Sequence, residues 1–192
     1  FREAAVRFVP FLSGLGSLLA LGLLGWACGI PLSGLAGAFL LAISPWHMRY
    51  SVEARGYSSM IFFILLGMLA LIAAIRTGRW RWWFGFGACQ CAFFLCFAGA
   101  IYVVAAQSFF VLIYLFSGKE RRWMVSRWLV ASALTAIPFL LLMGPSIPQV
   151  VEYFQRTDIQ RIPMDAGWLG DLWSHVVAGI PWADQTAAGI SP

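Results

Sequence analysis

Charge is scarce in this chain. Only 11% of its 192 residues are Asp, Glu, Lys or Arg, against roughly 25% in a soluble domain. Hydrophobic residues make up 61% and aromatics 16%, and the mean hydropathy is +0.81. That composition excludes an ordinary soluble domain and describes a membrane protein. A disulfide framework is lacking too: Cys28, Cys89, Cys91 and Cys96 all fall in or beside apolar runs, where a thiol behaves as a small hydrophobe. The chain opens on Phe1 and is hydrophobic by Val6, without the basic start, short apolar run and small-residue cleavage site of a secretory signal. It therefore reads as an internal piece of something longer. It has no internal repeat, no low-complexity tract and no linker before Pro145.

The net charge of +5 and sequence pI near 9.4 raise the question of a nucleic-acid partner. Most of the basic residues, however, sit in two short clusters that bracket apolar runs, a pattern of membrane topology rather than of a nucleic-acid patch. No nucleic-acid partner is expected; membrane lipids are.

Crossing a hydrocarbon core about 30 Å thick takes roughly 17 to 25 apolar residues, and helices satisfy their own backbone polar groups. The uncharged runs are Phe8 to Trp26, Ile30 to Trp46, Ser58 to Ile75, Trp82 to Gly118 and Trp128 to Gly144. As a single helix the fourth would be roughly 55 Å long, too much for tilt to absorb. A break at Ala98, Gly99 and Ala100 divides it into spans at 82–97 and 101–117. The division also puts Arg76, Arg79 and Arg81 on the same side as Lys119, Arg121, Arg122 and Arg127, seven of the 13 basic residues, as the positive-inside rule prefers. The expectation is an all-α polytopic transmembrane bundle with about six spans, near 8–26, 30–46, 58–75, 82–97, 101–117 and 128–144. Glu120 is then the only acid inside, and all ten tryptophans lie near an interface as an aromatic belt. Glycines within the first two spans, among them Gly14, Gly16, Gly22, Gly25, Gly34 and Gly37, permit close helix contact.

Residues 1–145 form this membrane region. Residues 146–192 carry five of the eight acids and read as an extracytoplasmic loop. Within it Leu169, Leu172, Trp173, Val176, Val177 and Ile180 repeat at helical spacing before Pro181, the mark of an amphipathic helix. It lies on the outer leaflet or packs over a site opening there, the former being the simpler reading.

The segment from Ser44 to Ser58 packs His47, Arg49, Glu53 and Arg55 into nine positions beside the bilayer. Ionisable groups there are costly, so a function or a satisfied partner is the default expectation. If the segment is helical, Arg49 and Glu53 pair at i and i+4, with Tyr57 one turn further along. Arg55 then points about 200° away from Glu53, at 100° per residue, and is available to an external anion. A guanidinium fork matches phosphate oxygens in bidentate fashion. The competing reading for all of these cations is interfacial snorkelling to lipid headgroups.

Ser44-Pro45, Tyr50-Ser51, Glu53-Ala54-Arg55 and Tyr57, between two hydrophobic helices, resemble the "SP…YSQEARMY" signature of polytopic GT-C glycosyltransferases. The resemblance is to glycosyltransferase family 39, the bacterial relatives of dolichyl-phosphate-mannose protein mannosyltransferases and of the aminoarabinose transferase acting on lipid A. Val52 stands where the family most often has Gln. Glu3-Ala4-Ala5-Val6-Arg7-Phe8-Val9-Pro10 is similar to the family's "E…R.P" helix start. The likeness covers roughly residues 1–117. After the fourth span, many relatives carry a Thr-His-Tyr-like element where this chain has Cys96-Phe97-Ala98-Gly99-Ala100-Ile101-Tyr102, so no role is carried over there.

The resemblance implies inverting transfer of a sugar from a polyprenyl-phosphate donor to a lipid, glycan or protein acceptor at the extracytoplasmic face. A bacterial inner membrane is the expected location. The family's general base is an acid in the first outer loop, which would precede Phe1. This chain is therefore expected to hold no catalytic base and to be inactive alone. Arg55 is expected to bind the donor phosphate, with Glu53, Tyr50, Tyr57, Arg49 and His47 shaping the pocket. No cofactor is assigned, and a divalent-metal requirement is left open.

Other signals have simpler readings. Cys89 and Cys96 share a helix face while Cys91 points about 200° away, so core packing outweighs a metal or haem site. His175 has no His or Cys at ligand spacing, and Gly14-Leu15-Gly16 follows no strand. Arg79-Trp80-Arg81-Trp82-Trp83 reads as an inner-leaflet anchor for anionic lipid. Two functional alternatives stand beside the transferase. One is a transporter or flippase whose substrate path the charged segment lines; the other is a non-catalytic assembly subunit in which Arg55 is dispensable.

Overall fold

The computed structural model describes residues 3–53, 56–96, 101–118 and 122–155, together with 167, 170 and 173. Among them every regular element is helical: α1 Glu3–Ala27, α2 Pro31–Ile43, α3 Pro45–Val52, α4 Tyr57–Thr77, α5 Trp80–Cys96, α6 Ile101–Phe116, α7 Arg122–Met143 and α8 Ile147–Gln155. Helix is what unbranched and small apolar residues favour once no water can satisfy the backbone. The segments Val6–Ala27, Tyr57–Thr77 and Trp123–Gln149 are each long and apolar enough to cross a bilayer, whereas Pro31–Ile43 and Tyr102–Tyr114 are apolar but shorter.

Local chemistry sets the breaks. Gly29, at φ 81°, turns the chain between α1 and α2. These helices then pack through glycine: a Cβ on Gly34 would sit 2.7 Å from the Gly25 Cα, closer than any other residue permits. The second helix ends at Ile43, short of the expected Trp46. Pro45 cannot continue a helix and drives Ser44 into an extended conformation (ψ 122°). Ser44 then caps a new helix, α3, accepting a bond from the His47 backbone N–H at 3.5 Å. Gly78, at φ 63°, closes α4.

Contacts along the helices fix their directions. Ser13 and Ser59 share a hydrogen bond of 3.0 Å, and Leu23 shares a groove with Ile72 and Arg76, so α1 and α4 run parallel. Phe94 meets Phe139 at 5.1 Å while a Cβ on Gly87 would touch Ala131 and Thr135, so α5 and α7 also run parallel. They start where α4 ends: Arg127 donates to the Gly78 carbonyl and lies over the rings of Trp80 at 5.4 Å and Trp123 at 4.2 Å. The bundle thus has a basic end, holding Arg76, Arg79, Arg81 and Arg127, and an opposite end carrying α3.

The core clusters toward the basic end: Ala70, Leu71 and Ala74 of α4, Trp83 and Phe86 of α5, Val111 of α6, Trp128 and Ala131 of α7. This corrects the aromatic-belt expectation for two tryptophans. Trp83 is fully buried and Trp128 is 8% exposed, because both face the α4, α5 and α7 seam rather than lipid. α6 is tied to α5 by a Gln90–Gln107 side-chain bond of 3.3 Å.

The break expected at Ala98, Gly99 and Ala100 lies outside the described residues, as do Lys119, Glu120, Arg121 and all of the expected outer helix except Gly170 and Trp173. Trp173 is helical and exposed. α8 was not foreseen. Its apolar positions Ile147, Val150, Val151 and Phe154 have the three- and four-residue spacing of one helix face.

Candidate functional site

The site is built on α3, eight residues held across the start of α1. Three features seat it. The His47 side chain is buried, 6% exposed, and bonds to the Gly14 backbone. Ser51 donates to the His47 carbonyl at 2.7 Å. A Cβ on Gly14 would lie 2.8 Å from the Ser51 Cβ, so α3 approaches α1 as closely as glycine allows. Burial pushes the His47 imidazole below its ordinary range, with the Gly14 bond opposing the shift. His47 is therefore neutral at pH 7.

Along the rest of α3, charges and rings separate. Arg49 Nε donates to Glu53 Oε1 at 2.9 Å, and both side chains are partly exposed. Tyr50 stacks on Trp46 at 5.5 Å and meets Tyr57 at 4.6 Å. The expected Arg49–Glu53 pair is present, but not as part of a continuous helix. α3 ends at Val52, Glu53 is extended (ψ 139°), and α4 begins anew at Tyr57. Tyr57 consequently meets Tyr50 instead of extending the Arg49–Glu53 face. The 200° offset expected between Arg55 and Glu53 falls on Arg55, which with Ala54 lies outside the described residues.

Gly56, immediately after Arg55, packs on the end of α5. A Cβ there would lie 3.0 Å from the Cys96 carbonyl carbon and closer still to its oxygen, so only glycine fits without moving backbone. Ser58, two residues on, is fully buried, and its hydroxyl has no hydrogen-bond partner among the described residues.

Two apolar grooves open beside α3. One, of about 340 Å³, is lined by Phe11, Leu15, Leu18, His47, Met48 and Val52, among others. The second, of about 260 Å³, is formed by Arg7, Phe8, Phe11 and Val52, so Phe11 and Val52 border both. Arg7 is a site residue that the sequence reading left out of the pocket, although it belongs to the quoted helix-start motif. Val52 is 46% exposed at the position where the glycosyltransferase signature most often has Gln. Among the described residues no group of three or more His, Cys, Asp or Glu is placed to hold a metal ion.

An apolar helical bundle with a compact, ring-lined ionic turn at one end and an arginine-rich turn at the other defines a polytopic integral-membrane protein. The chain belongs to the dolichyl-phosphate-mannose-protein mannosyltransferase family, whose model matches residues 1–144. The protein is accordingly a membrane glycosyltransferase of the mannosyltransferase-like type. No curated protein and no solved structure matched the chain.

Proposed function

We propose that the protein moves a sugar from a polyprenyl-phosphate donor to a lipid, glycan or protein acceptor at the end of the bundle that carries α3. The observation that carries this reading is the pair of open apolar grooves beside α3, with His47 in the wall of one and Arg7 in the wall of the other, next to the Arg49–Glu53 ion pair and the Trp46 and Tyr50 rings that the same short helix bears. A lipid-linked phosphate needs both, an apolar trough for its chain and polar donors where the chain ends. In the proposal Arg55 meets the donor phosphate. Arg49, Glu53, Tyr50, Tyr57 and His47 shape the pocket around it.

As the glycosidic bond to the leaving phosphate breaks, negative charge grows on the phosphate oxygens, and a fixed guanidinium lowers that barrier. Glu53 is held in an ion pair with Arg49 at 2.9 Å, which fixes its place beside the site. It is therefore assigned to positioning, and the general base to an acid outside residues 1–192. The acidic composition of 146–192 and the opposite basic end favour an extracytoplasmic site by the positive-inside rule, in a bacterial inner membrane. The described charges lie near helix ends rather than at mid-helix, which favours the transferase over a transporter.

The test is Arg55→Lys in the full-length enzyme, assayed with a polyprenyl-phosphate-sugar donor. Losing the fork while keeping the charge should lower turnover 10²- to 10³-fold, about 2.7 to 4 kcal/mol. Near-normal turnover would remove Arg55 from the site.

A further inference from the structure

At the basic end, away from α3, a groove of about 500 Å³ runs along the outside of the bundle between the last turns of α1 and α4 and the start of α5. Its walls are aliphatic, Leu23, Leu66, Leu69 and Ile72, and its mouth is formed by Trp26, Trp82 and Arg76. Leu23 and Trp26 are 54% and 73% exposed, so the groove is open to the surrounding membrane. Arg76 is exposed in the last turn of α4 and makes no ion pair among the described residues.

We propose that this groove is a binding site for an anionic phospholipid, with an acyl chain along Leu23, Leu66, Leu69 and Ile72 and the headgroup phosphate on Arg76. Charge complementarity selects this occupant. Arg76, Arg79 and Arg81 fall within six positions, and none of the described acids, Glu3, Glu53 and Glu152, lies at this end of the bundle. A zwitterionic headgroup would bring its own cation against three arginines, whereas an anionic one meets only attraction. A soluble phosphate would leave the apolar trough empty. Trp26 and Trp82, at the mouth, supply the amphipathic rings that suit headgroup depth. Arg81 lies over the Trp82 ring at 5.1 Å, which holds a second guanidinium beside the mouth.

The test is native mass spectrometry of the full-length protein in detergent, equilibrated with equal amounts of phosphatidylglycerol and phosphatidylcholine of matched chains. Wild type should retain phosphatidylglycerol over phosphatidylcholine, and Arg76→Gln should cut that preference about fivefold, the worth of one interfacial cation. Arg76→Lys should keep it. Leu69→Trp, which fills the trough and leaves every charge in place, should lower retention of the anionic lipid. Equal retention of both lipids by wild type overturns the site, and so does a preference unchanged in Arg76→Gln. A preference lost in Arg79→Gln and kept in Arg76→Gln overturns it too, by moving the anion to the loop. Should Arg76→Gln not fold, unchanged retention in Leu69→Trp overturns the groove on its own.

Discussion

The basic end closes on a dry core: Ala74, Trp83 and Phe86 have no exposure, and Arg127 is locked between two indole rings and the Gly78 carbonyl. The α3 end instead keeps two grooves open beside a half-exposed ion pair and a row of rings. Both ends use Arg and aromatic residues, so residue type alone does not separate them. What differs is backbone order. At the basic end the α4–α5 connection turns through one capping glycine, Gly78, while the α3 end interrupts the chain at Ser44 and again after Val52. A short helix between two breaks cannot bury its whole surface, and the grooves are the space it leaves.

The strongest way to break this contrast is to deform the α3 end alone. In Gly56→Val the new side chain must displace either the Cys96 backbone or the turn that carries Arg55. Misplacing a reacting group by about 1 Å can cost 10²-fold in rate, while the packing strain itself costs about 1 to 3 kcal/mol. Turnover per folded molecule should therefore fall about 100-fold. Wild-type turnover would mean that the position of this turn does not matter to the reaction.

The opposite variant, Arg127→Gln, should do the reverse. It removes two cation–π contacts and a charged hydrogen bond, together about 2 to 3 kcal/mol. Denaturant titration in detergent should show that loss with turnover per folded molecule retained. A drop in turnover without loss of stability would place the basic end in the reaction.

How much of this was legible beforehand follows the same division. The basic end is written locally: arginines between apolar runs identify the turn, and helix breakers mark its edges. The family signature likewise located the α3 segment without any three-dimensional information. Its shape was not legible, because reading the segment conditionally as a helix gave Pro45 too little weight as a new start and did not mark the extended Glu53. The grooves were hidden for another reason. Phe11 and Val52 are 41 residues apart in sequence, and only the packing of α3 across α1 brings them together. Arg7 belongs to the helix-start motif, yet nothing in the linear sequence places it beside Val52. Trp83 and Trp128 were misread because an interfacial sequence position does not say which way a ring points.

A smaller effect sharpens the role of the ion pair. Arg49 and Glu53 are 42% and 28% exposed, so solvent screens them. A double-mutant cycle with Arg49→Gln and Glu53→Gln should give a coupling under about 1 kcal/mol. Glu53→Gln should cost less than about tenfold in turnover, since the carboxylate positions rather than accepts a proton. A loss of 10³-fold or more would make Glu53 the base and overturn its assignment.

The smallest effect, and the one most specific to the α3 end, is a pH dependence set by His47. Burial lowers the folded-state pKa below the ordinary imidazole value, so in the window between the two the unfolded chain binds more protons than the folded one. Stability then rises with pH through that window. It is fully present above the unfolded pKa of about 6.5 and is lost as pH falls toward the folded value, because protonation charges a ring that α1 and α3 enclose. Melting temperature measured in detergent between about pH 5 and pH 7.5 should decline on the acid side in wild type, and less steeply in His47→Gln, which cannot titrate. Lys and Arg do not titrate in this range, and Glu53 is shared by both proteins, so the difference between the two curves isolates the imidazole. Parallel curves would show that His47 is as accessible to protons in the folded protein as in the unfolded chain, and α3 would then not be the tightly seated element on which the contrast between the two ends depends.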